Sequence, residues 1–338
     1  MDVGVGERRG LIPLPTGFDP LDPGRDGPQR ATHRLARSGG RMVRYIDAGD
    51  ADWRPLVFFG GLGTSVGAFF LTEFARSLRE TLGLRVISVE RNGFGETPFD
   101  PSLGYDDATG DVLAVLDVLG IERFALVAFS GGGPYAARLA ARAPQRLLSL
   151  HLAAATAGPL PGGGAPALLS AAEVAELARD PRAMWEFPAS SPVHRIPGFV
   201  AAAQEEGVRA LRVVGHGAEA LAHEWRLLCS EPLPDLEAVK APAFLYWGED
   251  DTLVPPAHAQ AWSGGLPNVV ASRGYPGEAH DVQYRHWDQI MLDAAALGQV
   301  TLICRGGEAA LVPSEEAAEQ LAAGAAVGLC AWRTSDDL

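Results

Sequence analysis

Short apolar runs alternate with helix-length stretches through most of this 338-residue chain, and that rhythm constrains the fold more than any other feature. Residues 55–59, 85–89, 124–129 and 148–153 read as strands, with helices near 69–82, 106–119 and 132–141 between them. After a gap the rhythm resumes with strands at 243–247 and 268–275, followed by helices near 256–262 and 282–297. A strand that is apolar on both faces must be covered on both, which means a mostly parallel central sheet with helices on either side. Upstream, HRLAR and RMVRYIDAG flank Gly39 and Gly40 as the arms of a β-hairpin, so the sheet opens antiparallel.

The gap spans about residues 158–238. An interruption of about 80 residues is too long for a plain loop. A Pro/Gly segment there leads into SAAEVAELARD and GAEALAHEWRLLCS, which have helical spacing, so we read a helical cap inserted over the carboxyl edge of the sheet, where open α/β folds bind ligands. Residues 1–30 hold five prolines and no apolar period and read as a flexible arm. Residues 31–297 form the main domain with its cap, and residues 298–338 form a small C-terminal extension with the pattern β-β-α-β, Ser314 standing as a helix cap.

Charge narrows the partners. With 42 acidic against 28 basic residues the net charge is −14, most of it on residues 39–297, which excludes nucleic acid and favours a neutral or cationic small molecule over a carboxylate. Lys240 is the only lysine, leaving little material for Schiff-base chemistry or a phosphate-binding loop. Nothing in the sequence suggests a membrane span or a signal peptide, so a cytoplasmic protein is expected. Cys229, Cys304 and Cys330 fit neither a disulfide framework nor a zinc clip and are read as reduced, with a Cys304–Cys330 pairing as the alternative. A homo-oligomer is compatible with this reading.

The segment FALVAFSGGGPYAARLAAR carries the chemistry. A buried strand runs straight into Ser130, and three glycines and a helix follow. A nucleophile on a sharp strand-to-helix turn needs small neighbours, because the backbone there is strained and closely packed. In this the chain resembles the α/β-hydrolase superfamily, specifically a capped member with a serine nucleophile and an α/β-hydrolase fold. The resemblance implies an acid after a later strand and a histidine after the next one. In FLYWGEDDTLVP the family pattern falls on Gly248, Asp251, Val254 and Pro255, making Asp251 the acid, with Glu249 and Asp250 as competitors. His280, in YPGEAHDVQYRHW, is the histidine. VFFGGLGTS supplies the oxyanion loop, so the N–H groups of Leu62 and Gly131 are the expected oxyanion donors. RNGFGETPF resembles a structural turn of the same family.

The function implied is cleavage of a carboxylic ester or lactone through an acyl-enzyme, with no metal and no organic cofactor. Serine disfavours the epoxide- and halide-cleaving branches, which use aspartate, and dienelactone hydrolysis, which uses cysteine. C–C bond hydrolases, aminopeptidases, perhydrolases, and a non-hydrolytic lyase, cyclase or receptor on the same fold are the alternatives. Gly61, Phe129, Phe70, Trp185 and Trp225 are expected around an apolar substrate pocket. Glu205 and Glu206 read as a solvated pair or an amine-binding one, His258 as solvated, and His286 as a surface or cap contact.

Overall fold

The computed structural model describes residues 33–37, 40–160, 170–212, 215–306 and 308–328. The N-terminal arm, most of the Pro/Gly segment that opens the insertion, and Cys330 lie outside the described residues.

Eight strands make the main sheet: β1 (His33–Ala36), β2 (Met42–Ala48), β3 (Arg54–Phe59), β4 (Leu84–Val89), β5 (Phe124–Phe129), β6 (Leu147–Ala153), β7 (Ala243–Gly248) and β8 (Val269–Tyr275). Their order is β1-β2-β4-β3-β5-β6-β7-β8. β1 and β2 pair antiparallel, as do β2 and β4, and every later neighbour is parallel. Side chains that alternate along a strand explain the apolar runs. Leu56, Phe58, Val127 and Phe129 point into one core, while Val57, Phe59, Leu126 and Ala128 point into the other. Fully burying each such Val, Leu or Phe contributes about 1.5–3 kcal/mol, so β3 and β5 anchor both layers at once.

Among the described residues six helices cover this sheet: α1 (Arg76–Thr81), α2 (Tyr105–Val118), α3 (Gly133–Arg142), and, after the insertion, α7 (Ala257–Gly265), α8 (Val282–Arg285) and α9 (Trp287–Ala294). The helices of the insertion between β6 and β7 are α4 (Ala171–Arg179), α5 (Phe199–Arg212) and α6 (Gly217–Ser230). They enclose a smaller apolar cluster of Phe94, Val174, Ala210, Leu211, Ala220 and Leu221, against which Leu62 packs. Two expected helices come out differently. The one expected at 69–82 is a tight 3-10 stretch, Val66–Ala75, capped by the Ser65 hydroxyl and followed by α1. The one expected at 282–297 breaks at His286, whose ring turns inward to stack on Tyr275.

At the C-terminus, β9 (Val300–Arg305), β10 (Glu308–Pro313), α10 (Ser314–Ala322) and β11 (Ala326–Val327) follow in the expected β-β-α-β order. β10 and β11 flank β9, both antiparallel. Gln289 on α9 ties this sheet to the body, its amide donating to the Val300 carbonyl at 3.0 Å and accepting from the Leu302 N–H. Two expectations fail here. Ser314 is the first helical residue rather than the cap, its hydroxyl being engaged by Thr301. Cys304, buried on the central strand, is disulfide-bonded, while Cys229 is free. A three-stranded unit has little core of its own, and a cross-link compensates for that. Among the described residues no helix is long and apolar enough to cross a membrane.

Candidate active site

Ser130 stands at the junction of β5 and α3 with φ at 48°, a left-handed conformation that few non-glycine residues adopt. The three glycines after it each face a different obstacle. A Cβ at Gly131 would lie 2.8 Å from the Leu62 nitrogen, and one at Gly132 would lie 2.7 Å from the Gly60 carbonyl oxygen. At Gly133 a Cβ would overlap the Thr156 carbonyl oxygen. The turn is therefore wedged between the ends of β3 and β6, and the Thr156 N–H donates to the Ser130 carbonyl at 3.0 Å to close it.

The loop after β8 brings His280 to this turn. Its Nε2 lies 3.0 Å from Ser130 Oγ and its Nδ1 lies 2.8 Å from Asp251 Oδ2. Asp251, at the end of β7, is 3% exposed, and its other oxygen accepts from the N–H groups of Leu253 and Val254. Those two donors fix the carboxylate, so it accepts from Nδ1–H and leaves Nε2 with a lone pair facing the serine hydroxyl. Glu249 and Asp250 are exposed, and their backbone N–H groups bind the carbonyls of Tyr275 and Glu278. Of the three candidate acids only Asp251 meets the histidine.

Facing Ser130 across the turn is the loop of Gly60–Ser65. A Cβ at Gly61 would sit 3.3 Å from Ser130 Cβ. Arg91 reaches over this loop, one nitrogen donating to the Gly61 carbonyl, the Thr64 carbonyl and the Thr64 hydroxyl. Another of its nitrogens pairs with Glu224 of α6 at 2.6 Å, and Glu224 also accepts from the Gly63 N–H at 2.7 Å and from the Tyr135 hydroxyl. Glu206 of α5 accepts from the Ser65 N–H and hydroxyl, and burial pushes its carboxyl above the usual range. Sequence reasoning set Arg91 aside as structural and missed Glu224. It placed Glu206 in a solvated or amine-binding pair, yet only Glu205 is exposed.

The expected pocket residues separate. Gly61 abuts the serine. Phe129 is 2% exposed and packs edge-on against Phe58, Tyr284 and Trp287, which makes it core. Phe70 and Trp185 join the same cluster at its margin, the Trp185 ring lying against Gly207. Trp225 packs on the cluster within the insertion, and Met184 and Leu221 lie against Gly63. His258 is buried rather than solvated, its Nδ1 accepting from the Ala157 N–H, because α7 turns this face toward the end of β6. His286 is likewise buried, its Nε2 bonded to Glu278.

Residues 54–286 match the family described as alpha/beta hydrolase fold. The chain is 26% identical over 275 residues to the dihydrolipoyllysine-residue acetyltransferase component of an acetoin cleaving system from Pseudomonas putida, covering 79% of this chain and 69% of that protein. It is 34% identical over 120 residues to the sn-1-specific diacylglycerol lipase ABHD11 of Danio rerio, a match covering 33% of this chain and 37% of the lipase. Among solved structures, the enol-lactonase from Burkholderia xenovorans superposes with a TM-score of 0.62 at 22% identity, covering 78% of this chain and 99% of the lactonase.

Proposed function

The chain belongs to the alpha/beta hydrolase fold family, and from that premise we propose that it is a serine hydrolase cleaving a carboxylic ester or lactone of a small, apolar substrate. The observation that carries this reading is the serial contact of Ser130 Oγ, His280 and Asp251 at 3.0 and 2.8 Å. In this mechanism His280 Nε2 takes the hydroxyl proton as Ser130 Oγ bonds to the acyl carbon, and Asp251 holds the imidazole and offsets its charge. The oxyanion forms between the N–H groups of Leu62 and Gly131, at the amino-terminal end of α3, where the helix dipole also favours negative charge. The protonated His280 then gives its proton to the departing alkoxide, and water repeats the sequence on the acyl-enzyme to release the acid.

A diacylglycerol lipase and an enol-lactonase among the similar proteins support an ester or lactone as substrate. The inserted helices act as a cap, and the apolar side chains of Met184 and Leu221 against the loop beside Ser130 support an apolar acyl or alcohol group. Ser130→Ala is expected to abolish both labelling by a fluorophosphonate probe and turnover of p-nitrophenyl esters graded in chain length. Undiminished labelling of that variant would remove Ser130 from the reaction, and ligand binding without turnover by the unsubstituted protein would favour a receptor or lyase.

A further inference from the structure

We propose that the buried Arg91–Glu224 pair positions the oxyanion loop, so that the inserted helices complete the active site as well as covering it. This inference rests on the serine-hydrolase reading above and deepens it.

The argument turns on two peptide planes. In a trans peptide the carbonyl and the N–H point in opposite directions. The Gly61 carbonyl and the Leu62 N–H share one plane, so an Arg91 nitrogen bound to that carbonyl turns the Leu62 N–H the other way. The Leu62 nitrogen does lie on the Ser130 side, 2.8 Å from where a Gly131 Cβ would stand. The next plane joins Leu62 to Gly63, and Glu224 accepts that N–H at 2.7 Å. Gly63, with φ at 67°, has no Cβ to restrict its backbone, so the bond to Glu224 is what directs its N–H. Both planes that flank Leu62 are thus held by one ion pair, half of it on the body and half on α6, and the Thr64 hydroxyl that Arg91 binds also donates to the Gly61 carbonyl at 2.8 Å.

Burial makes the arrangement strict. Arg91 is 5% exposed and Glu224 is 2% exposed, so each depends on the other for its charge partner. Glu206 of α5 extends the same device one step along the loop by binding Ser65. Removing Glu224 leaves Arg91 without its partner and the Gly63 N–H without its acceptor, and the Leu62 N–H loses its fixed direction. Neither Arg91 nor Glu224 need touch the substrate, so both are positioning residues. Their effect falls on the tetrahedral state, in which the oxyanion exists, more than on substrate binding.

The test compares Glu224→Ala, Glu224→Gln and Glu231→Gln with the unsubstituted protein. Glu231 pairs with Arg138 at 3.2 Å and touches no part of the oxyanion loop, so its variant reports on cap docking alone. Rates with a p-nitrophenyl ester are normalised to sites titrated to completion by a fluorophosphonate, so that unfolded molecules do not count. Glu224→Ala is expected to lower kcat about 10- to 100-fold, short of the ~10²–10³-fold of deleting a donor outright, with KM changed by no more than about twofold. Glu224→Gln keeps an acceptor for the Gly63 N–H and recovers part of the loss, and Glu231→Gln leaves kcat unchanged. A trifluoromethyl ketone, which forms an oxyanion when Ser130 adds to it, should bind Glu224→Ala more weakly by a factor similar to the fall in kcat. Normalised kcat within about twofold of the unsubstituted protein, or an equal loss in Glu231→Gln, overturns the positioning role alone. Failure of the unsubstituted protein to be labelled at Ser130 overturns the hydrolase reading and this inference together.

Discussion

At the scale of single residues, the turn at Ser130 is tightly specified. Its glycines are required by contact, and Gly133 is the most constrained of the three because a methyl group there meets a backbone carbonyl that cannot rotate away. Gly133→Ala is therefore expected to lower stability by about 3 kcal/mol or to prevent folding, read from the urea midpoint of unfolding. The meeting of Ser130, His280 and an acidic loop was legible in the sequence, because Ser130 directly follows β5 and the other two stand in the loops after β7 and β8. Glu224 and Glu206 were not, since whether an acid on an amphipathic helix meets water or a loop depends on how that helix is rotated in the fold. The choice among Glu249, Asp250 and Asp251 also needed the structure, because one position in a loop decides which carboxylate turns inward.

Among the elements, strands were easier to place than helices. An apolar run buried on both faces has only one comfortable environment, and β3 to β8 lie within about a residue of where periodicity put them. Helix breaks were harder to see. Nothing near His286 is a proline or glycine that would announce the interruption between α8 and α9, and tertiary stacking on Tyr275 accompanies it. Gln289, on the second of these helices, holds β9 by two hydrogen bonds and also donates to Asp293. Gln289→Leu keeps the bulk but leaves those buried partners unsatisfied, at a cost of about 1–3 kcal/mol. Limited proteolysis of that variant should cut first near residues 297–300, well before the main body, and equal resistance would show that the extension is held by its apolar contacts alone.

For the whole molecule, the sheet and its two cores followed from the sequence, whereas the seating of the insertion did not, because its contacts, apolar ones and the buried bonds of Glu206 and Glu224 alike, join residues far apart in the chain. One buried acid ties stability to pH. Burial pushes the Glu90 carboxyl up to about 7, against the hydrogen bonds it accepts from Thr97 and Glu96 and the nearby charge of Arg44. Since the folded protein holds this proton more tightly than the unfolded chain does, the contribution is present below about 4.5, the ordinary value, and is lost as pH rises through about 7. Thermal melts at pH 5 and pH 8 should therefore show a larger drop for the unsubstituted protein than for Glu90→Gln, and parallel drops would place the titration elsewhere.

Glu206 and Glu224 both lie on the inserted helices, and this limits how freely the molecule can be recombined. An insertion between two parallel strands is normally an exchangeable module, replaced to alter selectivity while the scaffold keeps its chemistry. Here a transplanted segment without an acid opposite Arg91 would strand a buried cation beside the turn at Ser130. Chimeras that exchange residues between β6 and β7 would then change preference and speed together, and graft libraries would do better to fix position 224 as glutamate before varying the rest.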